Sequence, residues 1–280
     1  MSKLLELDHV TKLYPVGGLF SRQTIKAVND VSFSLDTEKP EIFAIVGESG
    51  SGKSTMAKMI LGDEVPDSGR LVFDGTDIGT ISSRAQREAF MTKVQPVFQN
   101  PFEAFNPLTP VDAYLFATAH RFAGADSQAD KDRLTDNALQ RVGLSLAEIK
   151  GRFSHELSGG QLQRVAVARA LIPSPKLIVA DEPVSMVDAS LRMSIVNLFR
   201  ALRDELKVSI IYITHDLATA YYISDRVIIM RSGVVIESGD ARAVLDNPEH
   251  PYSIALKNAV LPPDPRAAAA AIRLRRAVVE

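Results

Sequence analysis

An α/β fold, with helices covering a mainly parallel sheet, is what this sequence predicts, and three observations predict it. Short uninterrupted apolar runs, Glu41–Val46, Lys176–Ala180 and Val208–Thr214, recur along the chain and each ends at polar residues. A strand buried on both faces reads this way. Between and after them lie stretches with helical spacing, Lys53–Leu61, Leu191–Leu206 and Leu217–Ile223, and strands that alternate with helices are the pattern of a parallel sheet. At 280 residues the chain can bury a sizeable core, in one large domain or two small ones.

The N-terminus departs from that pattern. Leu4–Leu13 and Val28–Leu35 alternate as half-buried strands do, joined through Gly17 and Gly18, so a small antiparallel sheet is expected there. Residues 102–156 carry no convincing strand, whereas Gln128–Val142 has helical spacing, which predicts a helical insertion. A further helix is expected over Leu162–Leu171, and Val227–Met230 is another apolar stretch of strand length. Past Gly239 come a short helix, Ala241–Leu245, a Pro-rich stretch and an Ala-rich tail, Ala267–Ala271, followed by Arg273, Arg275 and Arg276. The tail reads as a solvated helix.

Composition narrows the function classes. Lys plus Arg number 32 against 34 Asp plus Glu, for a net charge of −2; the basic excess of a dedicated nucleic-acid binder is missing, and no such partner is expected. With no cysteine, disulfides, thiolate metal sites and cysteine nucleophiles are excluded. The first residues, Met1–His9, scatter charges through a short stretch and do not read as a signal peptide. No run approaches the roughly 20 apolar residues of a membrane helix. A cytosolic chain is expected, one that works at a membrane only by docking onto it.

Three motifs carry chemistry. Gly47-Glu48-Ser49-Gly50-Ser51-Gly52-Lys53-Ser54 fits the pattern G-x-x-x-x-G-K-[ST], with a predicted strand before it and a helix after it. Glycines let backbone N–H groups turn inward around phosphates, and the following helix points its positive end at them. Lys53 supplies a point charge for the β- and γ-phosphates, and the Ser54 hydroxyl can ligate Mg²⁺. The second motif is Leu177–Glu182, an apolar strand that delivers two adjacent carboxylates at its C-terminal edge, where α/β folds place ligands. Alone, such a strand usually just meets solvent; behind a phosphate loop, Asp181 is expected to hold Mg²⁺ and Glu182 to orient the attacking water. The third is Leu157-Ser158-Gly159-Gly160-Gln161, a second anion-ready helix start. Two phosphate cradles with one lysine loop suggest that one cradle serves a neighbour's nucleotide.

Leu157–Gln161 resembles the signature motif of ATP-binding-cassette (ABC) ATPases, and the family's other elements follow in order from Leu4 to about Gly239. The resemblance implies a P-loop NTPase cassette over residues 1–240, with a helical subdomain inserted at about 101–160 and a C-terminal extension over 241–280. It implies ATP and Mg²⁺ as cofactors. Gly47, Glu48, Ser49, Gly50, Ser51, Gly52, Lys53, Ser54 and Thr55 would surround the phosphates, and Tyr14 would stack on adenine. Gln99, in Phe98-Gln99-Asn100-Pro101, matches the glutamine that contacts Mg²⁺ together with Ser54 and Asp181. His215 matches the switch histidine near the γ-phosphate and acts with Glu182 in catalysis. Ser158, Gly159, Gly160 and Gln161 would face the partner's ATP, and Asp188 would lie in the dimer-contact loop. That loop usually reads Ser-Ala-Leu-Asp; here Met186 and Val187 fill its middle, while Ser185 and Asp188 survive.

His155-Glu156, Asn106-Pro107 and His250-Pro251-Tyr252 with Ala255-Leu256 resemble the ATPases of bacterial oligopeptide and dipeptide importers. The long segment Tyr14–Ala27 is similar to the second of the two ATPases that such systems often encode. The implied assembly is a second, different ATPase, two transmembrane permeases and an extracytoplasmic solute-binding protein, with this chain on the cytoplasmic face of the bacterial inner membrane. Many members of that group carry a C-terminal cysteine cluster, which a cysteine-free chain cannot form. The rivals are a soluble ABC ATPase of translation or DNA repair, a regulatory nucleotide binder and an exporter. Only about 58 residues without sustained heptads separate Gln99 from Ser158, Glu182 and His215 are intact, and no membrane segment is fused to the cassette, so the importer reading is preferred.

Overall fold

The computed structural model describes residues 2–16, 23–102 and 104–259. In chain order its strands are β1 (Lys3–Val16), β2 (Gln23–Asp36), β3 (Ile42–Val46), β4 (Ser68–Phe73), β5 (Thr76–Asp77), β6 (Val94–Val97), β7 (Leu177–Asp181), β8 (Ser209–Thr214), β9 (Arg226–Arg231) and β10 (Val234–Asp240). The helices are α1 (Lys53–Ile60), α2 (Arg84–Lys93), α3 (Val111–Ala123), α4 (Gln128–Arg141), α5 (Leu146–Ile149), α6 (Gly159–Leu171), α7 (Ala189–Leu206), α8 (Leu217–Ile223), α9 (Ala241–Asp246) and α10 (Pro251–Ala259).

Two sheets result. A four-stranded antiparallel sheet has the order β2-β1-β4-β5, and a six-stranded sheet the order β10-β9-β3-β8-β7-β6. In the larger sheet every pairing is parallel except the β9–β10 hairpin. Its register matters most. Val46 lies opposite Thr214, Asp181 opposite Ile213, and Val97 opposite Ala180. Strands β3, β8, β7 and β6 therefore end on nearly one line, with neighbours about 4.8 Å apart.

The strand pleat sorts side chains between cores, because successive residues point to opposite faces. Phe43 and Ile45 join Ile211, Ile213, Leu177 and Val179 in a core shared with Met56 and Met59 of α1 and with Val28 and Leu35 of the small sheet. On the opposite face, Ile178, Ala180, Ile210 and Tyr212 pack against Val165 and Ala168 of α6 and Phe199 of α7. Ala44 and Val46 belong to a third cluster with Val227 and Ile229, closed by Leu217, Leu245 and Tyr252.

The predicted strands and helices around the first two motifs are found within a few residues, and α8 has the predicted bounds, Leu217–Ile223. Helix α6 starts at Gly159, three residues ahead of the expected Leu162: Ser158 Oγ accepts the Gln161 N–H at 3.2 Å and Gln161 Oε1 accepts the Ser158 N–H at 3.0 Å. That reciprocal cap starts the helix in spite of two glycines. Between β6 and β7 the described residues hold helices and no strand, as expected, but α3 was not predicted. The expected solvated tail and the Gly17-Gly18 connection lie outside the described residues.

One packing contact tests this architecture. Phe199 and Tyr212 are fully buried and meet edge to face, with ring centroids 6.0 Å apart. Phe199→Ala is expected to lower unfolding stability by about 3–5 kcal/mol, read from chemical denaturation of the full chain.

Candidate active site

The loop that follows β3 is built on glycines that nothing larger can replace. A Cβ on Gly47 would lie 2.3 Å from the Met230 carbonyl oxygen and 2.6 Å from Ser51 Oγ. Gly52 has φ +105, and its Cβ would meet the Ala27 carbonyl oxygen at 2.2 Å. Beyond it α1 begins with no side-chain cap, so the N–H groups of its first turn are available to an anion. The Ser232–Gly233 turn of the β9–β10 hairpin braces the loop, for Gly233 N–H donates to the Ser51 carbonyl at 3.0 Å and the Gly233 carbonyl accepts Asn29 N–H at 2.8 Å.

Lys53 is 5% exposed. Its ammonium donates to the carbonyls of Gly47, at 2.6 Å, and Glu48, at 2.7 Å. Burial pulls its pKa below the usual lysine range, opposed by the carboxylates of Glu182, Asp181 and Glu48. A cation withdrawn from water in this way favours an anionic ligand. Asp181, at the end of β7, shows the reverse. Burial raises its pKa first and Glu182 adds to that, while Lys53 and a hydrogen bond with the Ser54 side chain act against it.

Glu182 sits one residue past β7 with φ +46, a left-handed conformation that costs a non-glycine residue about 1–3 kcal/mol. Its N–H donates to the Ile213 carbonyl at 2.9 Å, which fixes the turn. Both of its carboxylate oxygens are engaged. Oε1 accepts from His215 Nδ1 at 3.0 Å, and Oε2 accepts from Gln99 Nε2 at 3.1 Å. A carboxylate only accepts, so Nδ1 carries the proton and Nε2 of His215 is left for another partner.

These groups line one cavity of about 890 Å³. Of the residues singled out in the sequence, Gly47, Glu48, Ser49, Gly50, Gly52, Lys53, Ser54, Thr55, Gln99, Glu182 and His215 face it. Ser51 is buried, and Asp181 interacts with Ser54 and Lys53 without lining the cavity. Tyr14 is not among the lining residues; it pairs with Ile25 across the small sheet, and Ile25 does line the cavity. Ser158, Gly159, Gly160, Gln161 and Asp188 do not line it either. They cluster elsewhere: a Cβ on Gly160 would touch Leu191 Cδ1 at 2.9 Å, and one on Gly159 would lie 3.6 Å from the Met186 carbonyl. Sequence reading missed Ile25, Lys26, Ala27, Ser232 and Leu256 as lining residues. Leu256 lies in the motif with His250-Pro251-Tyr252, and Ile25, Lys26 and Ala27 lie in the long Tyr14–Ala27 segment, but neither feature points to the cavity; neighbours in space bring them there.

The arrangement suits a polyphosphate: a glycine cradle, a buried cation, a free helix N-terminus and a carboxylate held in a fixed orientation. A model of the ABC transporter family matches residues 28–185. The chain is similar to the oligopeptide transport ATP-binding protein AppF of Bacillus subtilis, 39% identical over 92% of this chain and 78% of that one. It also resembles AmiF of Streptococcus pneumoniae, likewise an oligopeptide transport ATP-binding protein, 37% identical over 85% of this chain and 77% of that one. Among solved structures it is similar to the dimeric ATP-binding cassette MJ0796 in a post-hydrolysis state bound to ADP and Pi, with a TM-score of 0.74 and 28% identity over 85% of this chain and 99% of that one. The cassette cbiO1 of Clostridium perfringens has a TM-score of 0.72 at 27% identity, over 88% of this chain and 92% of that one. The chain belongs to the ABC transporter family, as one of its ATP-binding cassettes.

Proposed function

We propose that this chain is the ATP-hydrolysing subunit of an importer for peptides or chemically related small solutes. The observation that carries the reading is the Glu182 carboxylate, held by His215 and Gln99 on the same cavity that Lys53 lines. The solute class follows AppF and AmiF, both oligopeptide transport proteins.

Lys53 and the first N–H groups of α1 would hold the β- and γ-phosphates of ATP, which fit because α1 starts without a side-chain cap and Lys53 lines the same cavity. Tyr14, across from Ile25, is assigned to the adenine. Ser54, Asp181 and the Gln99 amide oxygen, whose Nε2 is already donated to Glu182, form the oxygen donor set for Mg²⁺. Bound there, the ion neutralises charge that phosphoryl transfer spreads over the phosphate oxygens. Glu182 orients the attacking water and accepts its proton. His215 holds one oxygen of that carboxylate through Nδ1–H, and its Nε2 would bind a γ-phosphate oxygen in the imidazolium form, where both ring nitrogens donate.

Ser158–Gln161 and Asp188 lie away from this chain's own cavity, which supports their assignment to the nucleotide of a second cassette; MJ0796 is dimeric in its solved structures. The full assembly is proposed to hold a second, different ATPase, two permeases and an external solute-binding protein, with this chain on the cytoplasmic face of the membrane. No described helix is long and apolar enough to cross a membrane. Phe98 is exposed and lines a cleft with Pro101, Ala104 and Phe122, and Phe102 and Leu108 are also exposed. This apolar rim of the inserted helical segment, about 101–160, is assigned to a permease helix.

Three outcomes test the reading. Lys53→Ala removes a buried cation and is expected to raise the ATP Kd about 100-fold, since two charge-assisted hydrogen bonds together contribute about 3 kcal/mol; unchanged affinity would sink the phosphate-loop role. Glu182→Gln is expected to keep ATP binding while slowing turnover by about 10²–10⁴-fold and trapping a closed dimer, measured on the complex assembled with its partners. Cross-linkers placed at Phe98 and Phe102 are expected to capture a permease, and capture confined to the other ATPase would count against the docking assignment.

A further inference from the structure

Helix α10 follows the cassette in sequence yet reaches its centre. The turn before it is caught by Glu237 of β10, whose Oε1 accepts the backbone N–H groups of Glu249 and His250. His250 Nδ1 accepts the Tyr252 N–H at 3.1 Å, and at the far end Lys257 Nζ donates to the Asp246 carbonyl. Pro251 occupies the first helical position, where its missing N–H costs nothing. So held, Tyr252 is 7% exposed, with the Arg231 guanidinium 4.8 Å from its ring centroid. Its hydroxyl lies 3.1 Å from the Glu48 backbone nitrogen, 204 residues earlier in the chain, and accepts that N–H. One turn further along, Leu256 lines the cavity.

The Glu48 N–H belongs to the same planar, trans peptide unit as the Gly47 carbonyl, and in such a unit the two groups point in opposite directions. The Gly47 carbonyl is the closer of the two that accept the Lys53 ammonium, at 2.6 Å. We propose that Tyr252 is a positioning residue for the phosphate loop: by accepting the Glu48 N–H it locks the Gly47–Glu48 peptide and aims the Gly47 carbonyl at Lys53. This rests on the nucleotide-site reading above. Burial raises the phenol's pKa above its ordinary value, partly offset by the Glu48 N–H, so the hydroxyl stays protonated at neutral pH. The His-Pro-Tyr motif thereby has a task inside the site, and α10 is part of the cradle's framework.

Tyr252→Phe tests this in the full chain, because it keeps the buried ring and its stacking on Arg231 while removing the hydroxyl. Without nucleotide, amide hydrogen exchange at Glu48 is expected to quicken about tenfold, with exchange across Tyr252–Ala259 unchanged. ATP Kd, from titration calorimetry, is expected to rise about three- to tenfold, the worth of one hydrogen bond. Glu48 exchange and ATP Kd both within twofold of the parent would overturn the proposal. Equal quickening at Glu48 and throughout α10 would do so too, since the helix and not the hydroxyl would have changed. Tyr252→Leu removes ring and hydroxyl together, and an affinity loss seen there but absent in Tyr252→Phe assigns Tyr252 to packing alone. Lys53→Ala separates the two readings: if it leaves ATP affinity intact, the nucleotide assignment fails, whereas Glu48 exchange still reports on the tyrosine.

Discussion

Strands β3, β8, β7 and β6 run parallel and in a register that ends Val46, Thr214, Asp181 and Val97 on one line. Four of the residues that line the cavity are the first or second beyond that line: Gly47, His215, Glu182 and Gln99. A slip of one residue in β7 would turn Asp181 to the opposite face and carry Glu182 away from both of its partners. The register holds because both faces are buried. Phe43, Ile45, Val179 and Ile213 commit one side to the core under the small sheet, and Ile178, Ile210 and Tyr212 commit the other to α6 and α7. Site geometry is thus inherited from core packing, and the strained turn at Glu182 is sustained by it.

The strands that build this line differ in how openly the sequence declares them. β3, β7 and β8 are buried on both faces and show as unbroken apolar runs, so periodicity finds them. β6 completes the line at the sheet's edge and contains Pro96, which edge position tolerates and which breaks any strand pattern. β4 opens with Ser68-Gly69-Arg70, all exposed, and is a strand only because β1 pairs with it. Among the residues that the sequence singles out, the glycine-rich loop and the two carboxylates stand out by residue type and offset, whereas Gln99 and His215 stand out only through the resemblance to a family; the structure brings Gln99, Glu182 and His215 to one cavity. Ile25, Ser232 and Leu256 enter the cavity through tertiary contacts that no local spacing encodes. Tyr252 is the sharpest case: its motif was visible, and its contact was not.

The buried charges complete the picture. Lys53 is desolvated and its pKa depressed, while Asp181 is desolvated and its pKa raised, and each lessens the other's cost. Burial still dominates both shifts, and charges withdrawn from water favour a ligand that brings counter-charge.

The turn between β7 and α7 joins two surfaces that face different ways. Ser185 is tied twice to the Glu182 carbonyl, by its N–H at 3.2 Å and its hydroxyl at 3.0 Å. Three residues on, the same turn ends at Asp188; its Met186 carbonyl lies against Gly159, and the Leu191 side chain, in the first turn of α7, against Gly160 at the head of α6. The head of α6 therefore packs on the same short segment that carries Glu182. The segment that fixes the Glu182 backbone is thus the same one that packs against the head of α6.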